Sequence, residues 1–141
     1  MANRPTMVVV HCSATPANMD IGAKEIDRWH RQRGWLGIGY HYVIRRDGTI
    51  EKGRPEERPG AHAYGYNQTS IGICLVGGLS TRKRPHNNFT PKQFNSLRDL
   101  IKDIFRRYSA VRKVVGHRDL DPGKACPSFD VETWVRHVGL L

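Results

Sequence analysis

The segment Gly116-His117-Arg118-Asp119-Leu120-Asp121-Pro122-Gly123-Lys124-Ala125-Cys126-Pro127 carries an imidazole, an ammonium and a thiol on one short loop, and another imidazole, His11, ends an apolar run far upstream. Zinc is borderline-soft and accepts imidazole nitrogen together with thiolate sulfur, and three protein ligands leave a fourth position for water and substrate. The residues read as a zinc site with a cation beside it, and the chemistry expected is that of a zinc hydrolase. The span from His117 to Cys126 matches no standard zinc-finger or metalloprotease signature, and no His-Glu-x-x-His occurs.

The elements that must position these groups alternate along the chain without repeats or linkers. Met7 to Val10 reads as a buried strand that delivers His11 at its exit. A helix is expected from about Ala23 to Arg33, with Gly22 as cap, Glu25 at the third position, Ile26 and Trp29 facing inward and Gly34 as terminator. Tyr40 to Ile44 and Thr49 to Lys52 flank the turn signal Asp47-Gly48 and predict an antiparallel hairpin. Ser70 to Val76 predicts an apolar strand stopped by Gly77-Gly78. Thr90-Pro91-Lys92-Gln93 opens a second helix with a capping box, and Phe94, Leu97, Leu100, Ile101, Ile104, Phe105 and Tyr108 recur at helical spacing as its core stripe. Val114-Val115 is a short strand feeding His117 into the loop, and Val131 to Val138 a closing helix. The fold class expected is α/β, a central mixed β-sheet flanked by helices.

Length and composition narrow the class. The 141 residues suit one domain, 1–141, and no segment approaches the apolar length of a membrane span. Met1 to Thr6 precede only a short apolar run, so cytosolic synthesis without a signal peptide is expected. Three cysteines in such a chain argue for free or metal-bound thiols over a disulfide framework. The net charge of +10 favours anionic surroundings, but the basic clusters are dispersed and lack aromatic interleaving or helix-turn-helix spacing. They read as solvated surface, with no specific nucleic-acid partner, and a monomer is expected.

Side-chain direction sorts the ligands. Neighbours on a strand point to opposite faces, so His11 and Cys12 cannot both reach one ion; His11 is the ligand and Cys12 a small hydrophobe packed against a helix. Cys74, inside an apolar strand, is read as core, whereas Cys126 lies among polar residues. His30, His86 and His137 read as surface. His41 and His62 could each line a cleft without binding metal.

Val10-His11-Cys12-Ser13-Ala14-Thr15, Gly39-Tyr40-His41-Tyr42-Val43-Ile44, Arg46-Asp47-Gly48-Thr49, Gly65-Tyr66-Asn67, Ser70 to Gly78, Asn88-Phe89-Thr90-Pro91 and Lys124-Ala125-Cys126-Pro127-Ser128-Phe129-Asp130 together resemble the type-2 zinc amidases, relatives of the peptidoglycan-recognition proteins, and among them the small phage endolysins. The resemblance runs through nearly the whole chain in order. It implies a peptidoglycan-recognition-protein-like amidase fold and an N-acetylmuramoyl-L-alanine amidase acting on peptidoglycan. His11, His117 and Cys126 match the family's Zn2+ ligands, and Tyr40 and Lys124 its catalytic residues. A substrate cleft bordered by His41, His62, Tyr64 and Asn67 is expected. The stretch Pro122-Gly123-Lys124 carries one residue more than phage relatives do, which Gly123 is expected to absorb by adopting positive φ. The resemblance further implies action on the cell wall after release through a separate pore, and a phage RNA polymerase as a second candidate partner. A non-catalytic peptidoglycan-binding module, a structural zinc site and a regulatory binding protein are the alternative readings.

Overall fold

The computed structural model describes residues 2–141. In chain order the elements are β1 (Met7–Cys12), β2 (Thr15–Pro16), α1 (Ala23–Gln32), β3 (Tyr42–Ile44), β4 (Ile50–Lys52), β5 (Ser70–Leu75), β6 (Gly78–Leu79), α2 (Pro91–Arg107), β7 (Val114–Gly116), α3 (His117–Leu120) and α4 (Val131–His137). Five strands form one sheet in the order β4-β3-β5-β1-β7. β1, β5, β3 and β7 run parallel, and only β4 is antiparallel, as the return arm of the hairpin at Asp47-Gly48. The sheet is thus mixed, as expected, and β2 pairs with β6 just past the ends of β1 and β5.

β1 and β5 are buried at every residue, which is why both read as continuous apolar runs: each face of the sheet is covered. Val8, Val10, Cys12, Ile71, Ile73 and Leu75 face α2 and α4, meeting Leu97, Leu100, Ile101, Ile104, Val131 and Val135. Val43, Cys74 and Val76 face α1 through Ile26, and Met7 and Val9 lie under Ala63 of the loop before β5. Period-two alternation therefore sends Cys12 and His11 to different sides.

Helix α2 starts as its sequence requires. Thr90 Oγ1 accepts the Gln93 N–H at 3.1 Å, and Gln93 Oε1 accepts the Thr90 N–H at 3.0 Å. Gln93 does more than close the box: it is fully buried, and its Nε2 donates to Ile44 O and Val76 O, sealing the ends of β3 and β5. The regular ladder of β3 begins two residues later than expected, although His41 still donates its N–H to Gly72 O at 2.9 Å. His30, expected at the surface, is 6% exposed; its Nδ1 accepts the Gly39 N–H, and its ring packs on Trp35 and Tyr40. Among the described residues no helix is long and apolar enough to cross a membrane.

One acidic side chain ties the far edge of the sheet to α2. Glu56 accepts from Arg107 at 2.6 and 2.9 Å, from the Tyr108 hydroxyl at 2.9 Å and from the Tyr42 hydroxyl. Burial alone would raise its carboxyl, but these donors outweigh it and hold the pKa at about 2. A depressed folded value stabilises above the ordinary carboxylate range, and that stabilisation fades as pH falls toward the folded value. Glu56→Gln is expected to cost about 2 kcal/mol at neutral pH, taking some discount for the half-exposed Arg107. In urea unfolding, the gap between variant and wild type should close as pH falls from 4.5 to about 2.

Candidate metal centre

The sheet gathers His11, His117 and Cys126 at the C-terminal end of β1, with their ligand atoms all within 4.8 Å of one another. Each arrives by a different route. β1 carries His11 to its end on the α1 face. β7 stops at Gly116, and α3 begins at once, so the strand end hands His117 to the site; Asp119 Oδ2 holds the turn by accepting the Gly116 N–H at 2.8 Å. Cys126 returns on the loop after α3, where its carbonyl accepts the Arg118 N–H at 2.8 Å and its sulfur accepts the Cys12 N–H at 3.0 Å. Ser128 fastens the same loop by donating its hydroxyl to Gly78 O. Cys12 packs its side chain on the α2 side, as expected, while its backbone N–H reaches the sulfur.

The donor set suits zinc. Tetrahedral zinc with nitrogen and sulfur donors places ligand atoms about 3.5 Å apart, so side-chain rotations on the order of an ångström would close the triad. Burial first, then the neighbouring His62 and His117, keep the His11 pKa well below its ordinary value. Burial likewise lowers His117, with Asp121 opposing and the nearby Lys124 charge assisting. Both rings are therefore neutral, ligand-ready imidazoles at pH 7. The hydrogen-bonded Cys12 thiol and burial push the Cys126 thiol up, so a thiolate there calls for a cation.

Tyr40 lies against His11 with ring centroids 5.0 Å apart. Burial raises its pKa well above the ordinary value, so it persists as an O–H donor. Lys124 is exposed on the loop beside His117. Gly123, expected to adopt positive φ, does not; the loop forms a turn in which Asp121 O accepts the Lys124 N–H at 2.9 Å.

The residues expected to border a substrate cleft separate into two groups. Tyr64 is fully exposed and lines a depression of about 250 Å³ with Ala63, His117, Leu120 and Asp121. His41 and His62 lie in the interior, 1% and 9% exposed. The His41 ring accepts the Gly72 N–H and donates to Arg58 O, so both its nitrogens are engaged in bracing the loop. His62 sits behind His11, with His11 Nε2 2.8 Å from His62 Nδ1. Asn67 shapes the loop, its Oδ1 accepting the His62 and Ala63 N–H groups. On the Tyr40 side of the triad, Ser13, Ile26, Trp29, His30, Arg33 and Tyr40 line a small depression of about 80 Å³. Sequence reasoning missed this wall: Trp29 was expected to face inward, and its spacing of four from Arg33, on and just past α1, is the signal that could have found it. Depressions of about 560 and 580 Å³ elsewhere on the surface include none of the three ligand residues.

Residues 1–129 match the family described as N-acetylmuramoyl-L-alanine amidase. Over 127 residues the chain is 50% identical to an endolysin of Enterobacteria phage K11, spanning 90% of this chain and 83% of that protein. It is 47% identical over 127 residues to an endolysin of Escherichia phage T7, with the same 90% and 83% shares. The solved structure of the N-acetylmuramoyl-L-alanine amidase LysC from Clostridium intestinale URNW superposes with a TM-score of 0.82 at 34% identity, covering 97% of this chain and 87% of that one. A family match that takes in β1, β7 and the Cys126 loop, with relatives about half identical along it, means that this chain belongs to the N-acetylmuramoyl-L-alanine amidase family.

Proposed function

We propose that the protein is a zinc-dependent endolysin that hydrolyses the amide between the lactyl group of N-acetylmuramic acid and the first L-alanine of the peptidoglycan stem. The observation that carries this reading is the convergence of His11, His117 and Cys126 at one strand end, within 4.8 Å, with His11 buried and His117 and Cys126 half-buried. His11, His117 and Cys126 would hold the ion. When bound, zinc supplies Lewis acidity, lowering the pKa of water and polarising the scissile carbonyl.

The chain's own groups do the rest. Tyr40, kept protonated by burial, donates its hydroxyl to the carbonyl oxygen as that oxygen gains negative charge. Lys124 brings a mobile cation to the same charge from the loop beside His117. The Cys12 N–H stabilises negative charge on the Cys126 sulfur. The depressions flanking the triad, about 250 and 80 Å³, are too small to enclose a drug-sized ligand, and they suit a polymer laid across them. Tyr64 offers an exposed aromatic face on one side, and Arg33 a guanidinium for stem carboxylates on the other.

Digestion of purified peptidoglycan should release new L-alanine amino termini, stop with a chelator and resume on zinc addition; new reducing sugar ends instead would overturn the reading. Cys126→Ser and His117→Ala should lose both zinc and activity, measured by metal content and turnover. Tyr40→Phe and Lys124→Ala should keep stoichiometric zinc while turnover falls about 100- to 1000-fold. Cys12→Ala should retain zinc: it removes a thiol that holds the Cys126 thiol up and keeps the backbone N–H that donates to the sulfur.

A further inference from the structure

Behind His11 runs a row of polar atoms between the sheet and the loop before β5: His11 Nε2 to His62 Nδ1 at 2.8 Å, His62 Nε2 to Ser70 Oγ at 3.1 Å, and Ser70 Oγ to Tyr66 O at 2.7 Å. The row has only one consistent direction. A carbonyl oxygen can only accept, so the single Ser70 hydroxyl proton points at Tyr66 O. Ser70 Oγ must then accept from His62, which places the His62 proton on Nε2. A neutral imidazole carries one proton, so His62 Nδ1 is an acceptor and takes the proton on His11 Nε2. The lone pair of His11 is thereby left on Nδ1.

We propose that His62 and Ser70 are positioning residues that fix the tautomer and ring orientation of His11, so that Nδ1 is the atom offered to the metal. This rests on the metal-centre reading above. It gives His62 a different role from the cleft lining expected of it, and one that agrees with its burial.

The surroundings are built for this ring. Gly72, inside β5, lies against it: a Cβ there would stand 2.7 Å from His62 Cδ2 and Cγ and 2.8 Å from Nδ1. On the other side a Cβ at Gly60 would come within 2.4 Å of His62 Cδ2. Glycine weakens a central strand and marks a close approach. Here the approach is the His62 ring. Asn67 Oδ1 fixes the backbone of His62 from the loop side at 2.8 Å. Partners on the outer nitrogen of a ligating histidine typically govern metal affinity by about 10- to 100-fold.

The test uses the folded, full-length protein. In zinc-loaded, 15N-histidine-labelled wild type, the nitrogen shifts of His11 should show zinc on Nδ1 and a proton on Nε2. Zinc on Nε2 would overturn the proposal. Chelator competition should show zinc affinity falling about 10- to 100-fold in His62→Leu. His62→Asn, whose side-chain oxygen accepts near the position of Nδ1, should recover most of that loss, and Ser70→Ala should lose less than His62→Leu. Equal affinity in wild type and a folded His62→Leu would sink it. If wild type bound no zinc at all, the metal reading would fall. The metal-free shifts would still decide the tautomer separately, a proton on Nε2 supporting the relay and a proton on Nδ1 refuting it.

Discussion

Strand β1 outlasts its neighbour β7: the ladder between them ends with Val10 opposite Gly116, while β1 runs on to Cys12. In a parallel pair, N–H groups on one side of a strand recur every second residue, so the Cys12 N–H points to the place β7 has left. The Cys126 sulfur fills it at 3.0 Å. The same early stop turns the chain into α3 and sets His117 beside His11, with ring centroids 4.6 Å apart. One step in a sheet edge thus supplies a sulfur anchor, a turn and an imidazole, and the rest of the site is arranged around it.

Burial then sets the charge states. The rings of His11 and His117 and the hydroxyl of Tyr40 are held in their neutral forms by desolvation, and Cys126 resists ionising without a cation. A site of neutral, preoriented donors is costly to charge alone and well suited to a doubly charged ion. Glu56 shows the opposite outcome: half-buried beside Arg107 and two tyrosine hydroxyls, it stays ionised and serves the joint between α2 and the sheet.

The site's place at the edge of the core follows from where the ligands come from. All lie at strand ends or on the loop after α3, and such segments run over the surface of the fold. The walls on either side are α1 residues Trp29 and His30 with Tyr40, and the Tyr64 loop. The interior histidines belong to the support behind the triad, where His41 braces the loop through both nitrogens and His62 backs His11.

Local chemistry in the chain was enough to determine the buried strands β1 and β5, the Asp47-Gly48 hairpin, the capped start of α2 and its apolar stripe, because period and capping are short-range properties. The opposite faces of His11 and Cys12 followed from strand geometry alone, and ordered motif blocks pointed to the family. Tertiary structure alone decided which histidines meet. His30, His41 and His62 carry no local mark of burial, since their partners Gly39, Arg58, Gly72 and Ser70 are reached by loops folding back on strands. The one sequence trace was Gly72, a glycine in an apolar strand where a ring needed room. Gly123 showed the same limit: the loop's hydrogen bonds to Asp121, and not the freedom of glycine, set its backbone.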